Sequence, residues 1–212
     1  MKWHIEDVLK DIKENVTVVA ATKYFTSTEM RELFHKGITH FGENRVELLQ
    51  EKQQDLSDLD ITWHIIGTLQ TKKAKKIIND IDYLHSLDTI KLAEEVNKRR
   101  TSPINCFIQV NISDEENKHG LNKDDVIPFI NQVSHLENIH VIGLMGMAEH
   151  TNDKTVIGNS FAILNELQSL IKEQCNIECN ELSIGMSNDY LIAQEHNSTF
   201  VRLGSVLFSR EV

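Results

Sequence analysis

Short apolar runs alternate along this chain with segments in which apolar residues recur at helical spacing. The first run, Val16–Thr22, holds five apolar residues in seven positions, three of them valines, and Lys23 follows it. Continuous apolar runs that are rich in β-branched residues are typical of parallel strands buried on both faces. The pattern therefore predicts that Val16–Lys23 is a central parallel strand with a long amine at its carboxyl end.

Seven further runs have the same strand character and are separated by helical segments. They are Ile38–Gly42, Ile61–Gly67, Tyr83–Leu87, Ile104–Asn111, Ile139–Met145, Glu181–Met186 and Thr199–Leu203. Eight strands that alternate with helices, without a Pro/Gly-rich linker, predict an α/β fold, a single (β/α)8 TIM barrel that spans residues 1–212 as one domain. Such barrels take roughly 250 residues, so we expect little length for a second domain. A doubly wound sheet is the alternative fold.

Helix boundaries follow from capping signals. An N-terminal helix is predicted over about residues 2–14, and Thr26 with Glu29 has the form of a capping box. Thr68 is predicted to cap a basic helix, and Asp88 the helix after it. The basic helix carries Lys72, Lys73, Lys75 and Lys76. We interpret these lysines as a solvated face, with an interaction patch as the alternative.

Lys23 is the first candidate for chemistry. Parallel barrels and sheets bind ligands at the carboxyl ends of their strands, where loops and helix N-termini converge. An amine that is held there and partly desolvated loses its proton more easily and can attack a carbonyl to form a Schiff base. The alternative is an ordinary surface lysine at the start of a loop.

Two segments near the end of the chain predict a phosphate site. Gly185–Asp189 places the small hydroxyl of Ser187 and backbone N–H groups at the start of a helix, where anions bind; an ordinary helix cap is the alternative. Thr199–Ser205 contributes the fixed cation of Arg202 and a glycine, Gly204, that permits close backbone approach. Because the loops after the last two barrel strands are a common phosphate site, the two segments predict one pocket.

Barrel closure joins these candidates. The first and last strands of a closed barrel are neighbours, so Lys23 is expected beside Arg202 and the phosphate pocket. An amine, an arginine and a phosphate cradle together fit a cofactor that carries both an aldehyde and a phosphate. Pyridoxal 5′-phosphate (PLP) is that molecule.

Charge and composition exclude other classes of function. A net charge of -10 over 212 residues argues against binding along a nucleic-acid backbone, which needs a basic stripe. Cys106, Cys175 and Cys179 lack zinc-ligand spacing, so we interpret them as reduced thiols. The first residues lack the apolar run of a signal peptide, and no stretch has transmembrane length. We therefore expect a soluble, cytoplasmic protein that binds neither nucleic acid nor membranes.

Other polar residues are interpreted without a function. His40, His64 and His85 fall in predicted strands, and without a carboxylate cluster of metal-binding spacing we expect core or loop histidines rather than ligands. The acidic segment 114–116 is interpreted as a solvated loop. The chain contains no glycine-rich nucleotide-binding fingerprint.

Seven groups of residues along the chain match the motifs of a known family. They are Ala21–Lys23, His40–Asn44, Trp63–Gly67 with Leu69 and Gln70, Val110 and Asn111 with Lys118 and Gly120, Gly143–Met145, Gly185–Ser187 with Asp189, and Val201–Gly204. At these motifs the chain resembles, nearly end to end, the pyridoxal phosphate homeostasis proteins (YggS/PROSC family). The resemblance implies a barrel similar to the N-terminal domain of alanine racemase.

The resemblance also implies a cofactor site. The residues it implies are Lys23, Asn44, Ser187, Arg202, Gly204 and Ser205. Lys23 would hold PLP covalently as a Schiff base, and Arg202 would face the pyridine nitrogen. The two serines and the glycine would bind the phosphate, and Asn44 would line the pocket.

The sequence departs from the family pattern at two positions. Asn197 stands where a glycine is common in the turn before the last strand, and Ser209 stands where a glycine is usual after Phe208. Asparagine tolerates the left-handed backbone conformation, so the first change is expected to be mild. Neither departure touches the expected amine or phosphate site.

The resemblance leads us to expect a carrier of PLP rather than an enzyme. Racemisation needs acid/base groups on both faces of the cofactor, and in the racemases a tyrosine from a partner subunit's extra domain supplies the second group. Of the three tyrosines here, Tyr24 adjoins Lys23 and is expected to point the opposite way, as neighbours on a strand do. An arginine at the ring nitrogen also leaves that nitrogen unprotonated, which weakens the ring as an electron sink.

We therefore expect a monomeric protein that holds PLP and supplies or buffers it, with PLP-dependent client enzymes as partners. A cryptic PLP-dependent amino-acid racemase or lyase would use the same lysine and is the alternative. A cofactor-free Schiff-base enzyme of the aldolase type is a further one.

Overall fold

The structure is a computed structural model that describes residues 2–113, 119–175 and 177–209. The acidic segment 114–116 and Lys118, both interpreted from the sequence, lie outside the described residues. Within the described ranges, no helix combines the length and apolar character needed to cross a membrane.

The strands define a closed barrel. They are β1 (Lys2–Trp3), β2 (Thr17–Ala21), β3 (His40–Glu43), β4 (Thr62–Ile65), β5 (Tyr83–Leu87), β6 (Ile104–Gln109), β7 (Ile139–Met145), β8 (Glu181–Met186), β9 (Phe200–Leu203) and β10 (Phe208–Ser209). Strands β2 to β9 pair in parallel and in chain order around the barrel. The pairing of β2 with β9, in register from Thr17 opposite Phe200, closes it.

Helices connect the strands. They are α1 (Ile5–Lys10), α2 (Ser27–His35), α3 (Val46–Asp55), α4 (Thr71–Ala74), α5 (Ile90–Arg99), α6 (Val126–Val133), α7 (Lys154–Gln174) and α8 (Tyr190–Glu195), with 3-10 turns at Lys123–Asp125 and Ser205–Leu207. The (β/α)8 barrel predicted from the sequence is therefore confirmed. The doubly wound alternative is excluded because its open sheet would leave β2 and β9 unpaired with each other.

The chain ends differ from the prediction. The expected helix over residues 2–14 is shorter, since Lys2 and Trp3 form β1, which pairs antiparallel with β10. The Trp3 indole packs against the rings of Phe25 and Phe208, with centroids 5.9 and 6.3 Å away. This aromatic contact favours an extended conformation at residues 2 and 3, because Trp3 can then cover Phe25, which lies two residues after Lys23.

Two of the three predicted caps are wrong. Thr26 and Glu29 form the expected capping box at the start of α2. The cap of α5 is Thr89 rather than Asp88, and its hydroxyl accepts from the Leu92 amide at 3.3 Å. Helix α4 begins after Gln70 rather than Thr68, because the chain first buries Leu69 in the core.

The barrel interior has its own apolar cluster, distinct from the larger core between strands and helices. Val19, Phe107, Met145 and Phe200 form it. The rings of Phe107 on β6 and Phe200 on β9 lie 5.2 Å apart, a contact that crosses the barrel because these strands are not neighbours. The interior is therefore filled by side chains, as in other barrels of this size.

Two glycines with the same backbone conformation differ in their surroundings. Gly37, after α2, has φ +95° and open space where a Cβ would lie, whereas Gly185, near the end of β8, has φ +94° and would place a Cβ 2.6 Å from the Ala193 Cβ. Asn197 also has a positive φ, of 63°, which confirms that asparagine accepts the left-handed conformation there.

We predict that Gly185→Ala is much more destabilising than Gly37→Ala. Both variants incur left-handed strain of about 1–2 kcal/mol, and only Gly185→Ala adds overpacking of roughly 1–3 kcal/mol. Urea unfolding of both variants measures the difference. Equal losses in the free energy of unfolding would show that the close packing of β8 against α8 is not rigid.

Candidate cofactor site

A cleft of about 750 Å³ lies at the carboxyl end of the barrel, beside β8 and β9. Four of the six predicted site residues line it, namely Ser187, Arg202, Gly204 and Ser205. Ala21, the last residue of β2, lines it as well. The volume is in the usual range for small-molecule sites, about 300–1,000 Å³. The structure therefore brings the predicted phosphate segments together in one cleft, next to the strand that precedes Lys23.

The turn after β9 directs two backbone donors at a serine in the turn after β8. The Ser187 hydroxyl oxygen accepts hydrogen bonds from the amides of Gly204, at 3.0 Å, and Val206, at 3.3 Å. Asp189 closes the same turn, since its carboxylate accepts from the Met186 amide at 2.5 Å. Two N–H groups that converge on one oxygen form a small concave nest, which is a typical site for an anionic oxygen.

Arg202 lines the same cleft, is buried, and is held by oxygens. Its Nη1 donates to the Ser183 carbonyl and hydroxyl oxygens, both at 2.6 Å, and its Nη2 donates to the Gly146 carbonyl at 3.1 Å. Burial lowers the pKa of Arg202 to about 10, and the charge of Asp189 opposes this shift. The guanidinium thus has a fixed orientation and remains a cation at neutral pH.

Lys23 differs from its prediction in burial and surroundings. It lies in a turn two residues after the end of β2 and is exposed, whereas the sequence predicted a partly desolvated amine on the strand itself. Its Nζ is 4.8 Å from the centre of the Tyr24 ring. The expectation that Tyr24 points away from Lys23 is therefore wrong, because the strand alternation on which it rested has already ended. Hydrogen bonding to the Lys23 ammonium, and the ammonium's charge, lower the pKa of Tyr24.

The backbone nevertheless places Lys23 near the turns of Ser187 and Gly204. Val19 pairs with Arg202 and Ala20 with Leu203 across the closing seam of the barrel. The Ala21 carbonyl oxygen lies 3.4 Å from the position that a Cβ on Gly204 would take. Lys23 follows two residues later, so its loop leaves the barrel beside the nest.

Asn44 does not line this cleft. It is exposed at the end of β3 and borders a separate, smaller depression with Arg45, Thr68 and Gln70. The backbone N–H of Asn44 donates to the Glu43 carboxylate at 3.1 Å. The structure therefore places Asn44 at the predicted end of the barrel but apart from the four predicted site residues that line the cleft.

A buried ion pair that was not predicted from the sequence supports the Lys23 loop. The ammonium of Lys52 on α3 contacts the Glu43 carboxylate at the end of β3, and it donates to the Thr22 carbonyl at 2.6 Å. The Thr22 hydroxyl donates to the same carboxylate at 3.0 Å. The pair therefore fixes the residue that precedes Lys23. A signal was present, since Lys52 falls at helical spacing between Leu49 and Leu56 on the apolar face of α3.

Three histidines and a serine form a hydrogen-bonded chain through the barrel. The Ser183 hydroxyl lies 2.8 Å from His85 Nδ1, His85 Nε2 lies 2.8 Å from His64 Nδ1, and His64 Nε2 lies 2.9 Å from His40 Nδ1. We name these four residues the histidine chain. It runs from Arg202, in the cleft, to His40 at the amino-terminal end of β3.

The surroundings of the three histidines in this chain favour their neutral form. Burial lowers the pKa of His64 and His85 well below the usual value, with a further contribution from neighbouring positive charge, and it lowers that of the half-buried His40 against the pull of Asp82. Among the described residues, no group of three or more possible metal ligands is arranged to hold an ion. The expectation of core histidines is confirmed for the buried pair, His64 and His85.

Comparison with known proteins first gives the class. Residues 4–211 match the family model described as alanine racemase, N-terminal domain. The chain is therefore a barrel of the alanine racemase N-terminal domain family.

Curated relatives then give the particular family. The chain is 34% identical over 194 residues to the pyridoxal phosphate homeostasis protein of Aquifex aeolicus, covering 90% of this chain and 85% of the relative. It is 36% identical over 200 residues to that of Schizosaccharomyces pombe, covering 92% and 84%. The structure of PipY from Synechococcus elongatus with PLP bound superposes with a TM-score of 0.89 at 29% identity, covering 96% of this chain and 97% of that one. The chain belongs to the pyridoxal phosphate homeostasis protein (YggS/PipY) family, as the sequence motifs implied.

We predict that Lys52→Met destabilises the protein by about 3–5 kcal/mol, because it leaves the Glu43 carboxylate buried without its cation. Lys91→Met, at an exposed position of α5, is the matched control and should change the free energy of unfolding by less than about 0.5 kcal/mol. Denaturant unfolding measures both. The double variant Glu43→Gln/Lys52→Met should recover much of the loss, and a double variant no more stable than Lys52→Met would contradict the role of an uncompensated charge.

We predict that the stability of the protein falls as the pH falls below about 6.5, the usual histidine value. The folded state keeps His64 and His85 neutral while the unfolded chain protonates them, so stability is full above that pH and is lost below it. His64→Gln should reduce the slope between pH 6.5 and 5.5 by up to about 1.4 kcal/mol per pH unit. The control His140→Gln, on the exposed face of β7, should leave the slope unchanged. Urea unfolding at each pH checks this, and equal slopes in all three proteins would contradict it.

Proposed function

We propose that this protein binds PLP in the cleft at the carboxyl end of the barrel, holds it covalently through Lys23, and supplies or buffers it without turning over a substrate. The observation that carries the proposal is the closing seam of the barrel. It sets the loop of Lys23 next to an oxygen-binding nest and a buried arginine. PipY from the same family is described with PLP bound, which supports the choice of cofactor.

The donor set of the cleft suits a phosphate. The Gly204 and Val206 amides already converge on one oxygen, that of Ser187, and the exposed Ser205 hydroxyl lies at the start of the following 3-10 turn. A phosphate oxygen could take the place of the serine oxygen at these amides, and the hydroxyls would then donate to the phosphate. The donors belong to backbone that the β8 and β9 ends hold in place, so little ordering is needed on binding.

Arg202 suits the nitrogen of a pyridine ring. A guanidinium can only donate hydrogen bonds, so a ring nitrogen that faces it must be the acceptor and therefore unprotonated. The Ser183 and Gly146 oxygens take three of its hydrogen bonds, which fixes the plane of the group. An unprotonated ring withdraws electrons weakly, so this residue favours holding the cofactor over reaction at a bound amino acid.

Lys23 is the proposed attachment point. PLP supplies an aldehyde, which condenses with an uncharged primary amine to form a Schiff base and water. The exposed side chain of Lys23 lies against Tyr24, so the bond requires it to turn from that ring toward the cleft. Glu43 and Lys52 hold Thr22 in place, which limits this movement to the side chain rather than the strand.

A second candidate, racemisation of an amino acid, gains support from one observation. The Tyr24 hydroxyl is next to Lys23, and the ammonium lowers its pKa, as an acid/base pair would need. Both groups, however, come from one turn, and racemisation requires groups on opposite faces of the cofactor. Incubation of the PLP-loaded protein with L-alanine in D2O distinguishes the two functions. Retained α-protons support a carrier, and exchange with loss of optical rotation supports the racemase.

We predict that borohydride reduction of the PLP-loaded protein fixes a pyridoxyl group on Lys23. Lys23→Ala should lose the fixed label and the visible absorption band, because Lys23 is the first amine after β2 at the barrel seam, two residues beyond its end. Lys72→Ala, at an exposed lysine of α4, is the control and should keep both. Peptide mapping by mass spectrometry measures the label. Label in the wild-type protein on Lys72, or on Lys154 across the same cleft, would contradict the assignment.

A further inference from the structure

We propose that the histidine chain positions Arg202 for the ring nitrogen of PLP and couples that contact to the protonation of His40 at the opposite end of the barrel. Ser183, His85, His64 and His40 thereby act as positioning residues. The inference rests on the proposed function, because it concerns the same cofactor. It extends that function by linking PLP binding to pH through residues that lie away from the cleft.

The direction of the chain follows from counting its hydrogens. Arg202 can only donate to the Ser183 hydroxyl oxygen, so the hydroxyl hydrogen is available for its other partner, His85 Nδ1. A neutral His85 then carries its hydrogen on Nε2 and donates it to His64 Nδ1. His64 in turn donates from Nε2 to His40 Nδ1. Each contact holds one hydrogen, and every donor points away from Arg202.

This polarity strengthens the contact at Arg202. A hydroxyl that donates one hydrogen bond becomes a better acceptor for another, since bonds in a chain polarise one another. The Ser183 oxygen is therefore a stronger acceptor for the guanidinium while His85 accepts from it. Tyr83 stacks on His64, with ring centres 4.4 Å apart and planes 7° from parallel, and keeps the middle of the chain aligned.

Protonation of His40 reverses the direction of the hydrogen bonds along the histidine chain. His40 is half-buried, so water reaches its end of the chain, while His64 and His85 are fully buried. When His40 takes one proton from solvent, both of its nitrogens carry hydrogen and Nδ1 becomes a donor. His64 and His85 must then carry their hydrogens on Nδ1, so Ser183 becomes an acceptor from His85. One proton is added in total, at His40, and the hydrogens of His64 and His85 move from Nε2 to Nδ1. Ser183 keeps its hydroxyl hydrogen, which no longer points at His85, so its oxygen loses the polarisation that favours Arg202.

The charged and titratable groups that face the histidine chain determine where an added proton resides. Asp82, before β5, favours the charged form of His40, whereas Arg202, on β9, disfavours charge on His85. Tyr83 is half-buried and is itself influenced by Asp82 and Glu181. Asp189 faces Arg202 from the turn after β8. The positive charge near the cleft therefore keeps an added proton at the His40 end.

Equilibrium dialysis of PLP at pH 7.5 and pH 5.5 tests the coupling. On acidification, the Kd of the wild type should rise by a factor about five times larger than the factor for His64→Gln. A fivefold difference in Kd corresponds to the net contribution of about one hydrogen bond. The control His140→Gln should match the wild type, and the ionisation of PLP itself cancels in the comparison. The pH-dependent shift of the visible absorption band should differ between the wild type and His64→Gln, and it should be the same in the wild type and His140→Gln. Equal pH profiles in the wild type and His64→Gln would overturn the proposal.

A second measurement does not depend on PLP or on the folding of a variant. In wild-type protein with ¹⁵N-labelled histidine at pH 7.5, the ring nitrogens of His64 and His85 should show neutral Nε2–H tautomers. Cationic rings, or Nδ1–H tautomers, would overturn the proposal. Failure of the wild type to bind PLP at either pH would instead contradict the proposed function, and the nitrogen spectrum would still decide the direction of the chain.

Discussion

The site depends on the parallel pairing of β2 with β9. This seam closes the barrel and sets Val19 beside Arg202 and Ala20 beside Leu203. Residues separated by almost the whole chain thereby become neighbours. The Lys23 loop leaves from one strand, and the Gly204 turn leaves from the other. Without closure, an exposed lysine and a serine turn would be two unrelated surface features.

Around that seam the protein stabilises polar groups at places where burial alone would be unfavourable. The Glu43–Lys52 pair neutralises two buried charges and fixes Thr22 with hydrogen bonds. Arg202 is held instead by the oxygens of Ser183 and Gly146. Neutral histidines behind Ser183 extend this stabilisation across the barrel. Burial of polar groups is tolerated in each case because their hydrogen bonds are made.

The sequence predicted the barrel, and the turn at Ser187 that faces Gly204, because both depend on short-range patterns. Strand runs, the capping box at Thr26 and the Ser187 turn are all encoded within a few residues. The prediction was weaker where a side chain's environment comes from distant residues. The exposure of Lys23 and its contact with Tyr24 depend on where β2 ends, which is at Ala21 rather than at Lys23 itself. Asn44 shares the barrel end with the site but turns to another depression.

The hydrogen bonds among the polar groups of the interior could not be predicted from the sequence for a related reason. His40, His64 and His85 could each be assigned to a strand, but their contacts depend on the stagger between strands. The hydrogen bond between Ser183 and His85 joins residues 98 positions apart. Lys52 could have been identified more easily from the sequence, since a lysine on the apolar face of α3 needs a buried partner. Glu43, at the end of the adjoining strand, is that partner.

In the proposed function, one cofactor bridges the two sides of the barrel seam. A crystal structure of the protein soaked with PLP tests it most directly. We expect continuous density from Lys23 Nζ to the cofactor, with the phosphate at the turns of Ser187, Gly204 and Ser205 and the ring nitrogen facing Arg202. A phosphate bound elsewhere, or a Lys23 side chain still against Tyr24 with PLP attached to another lysine, would contradict it.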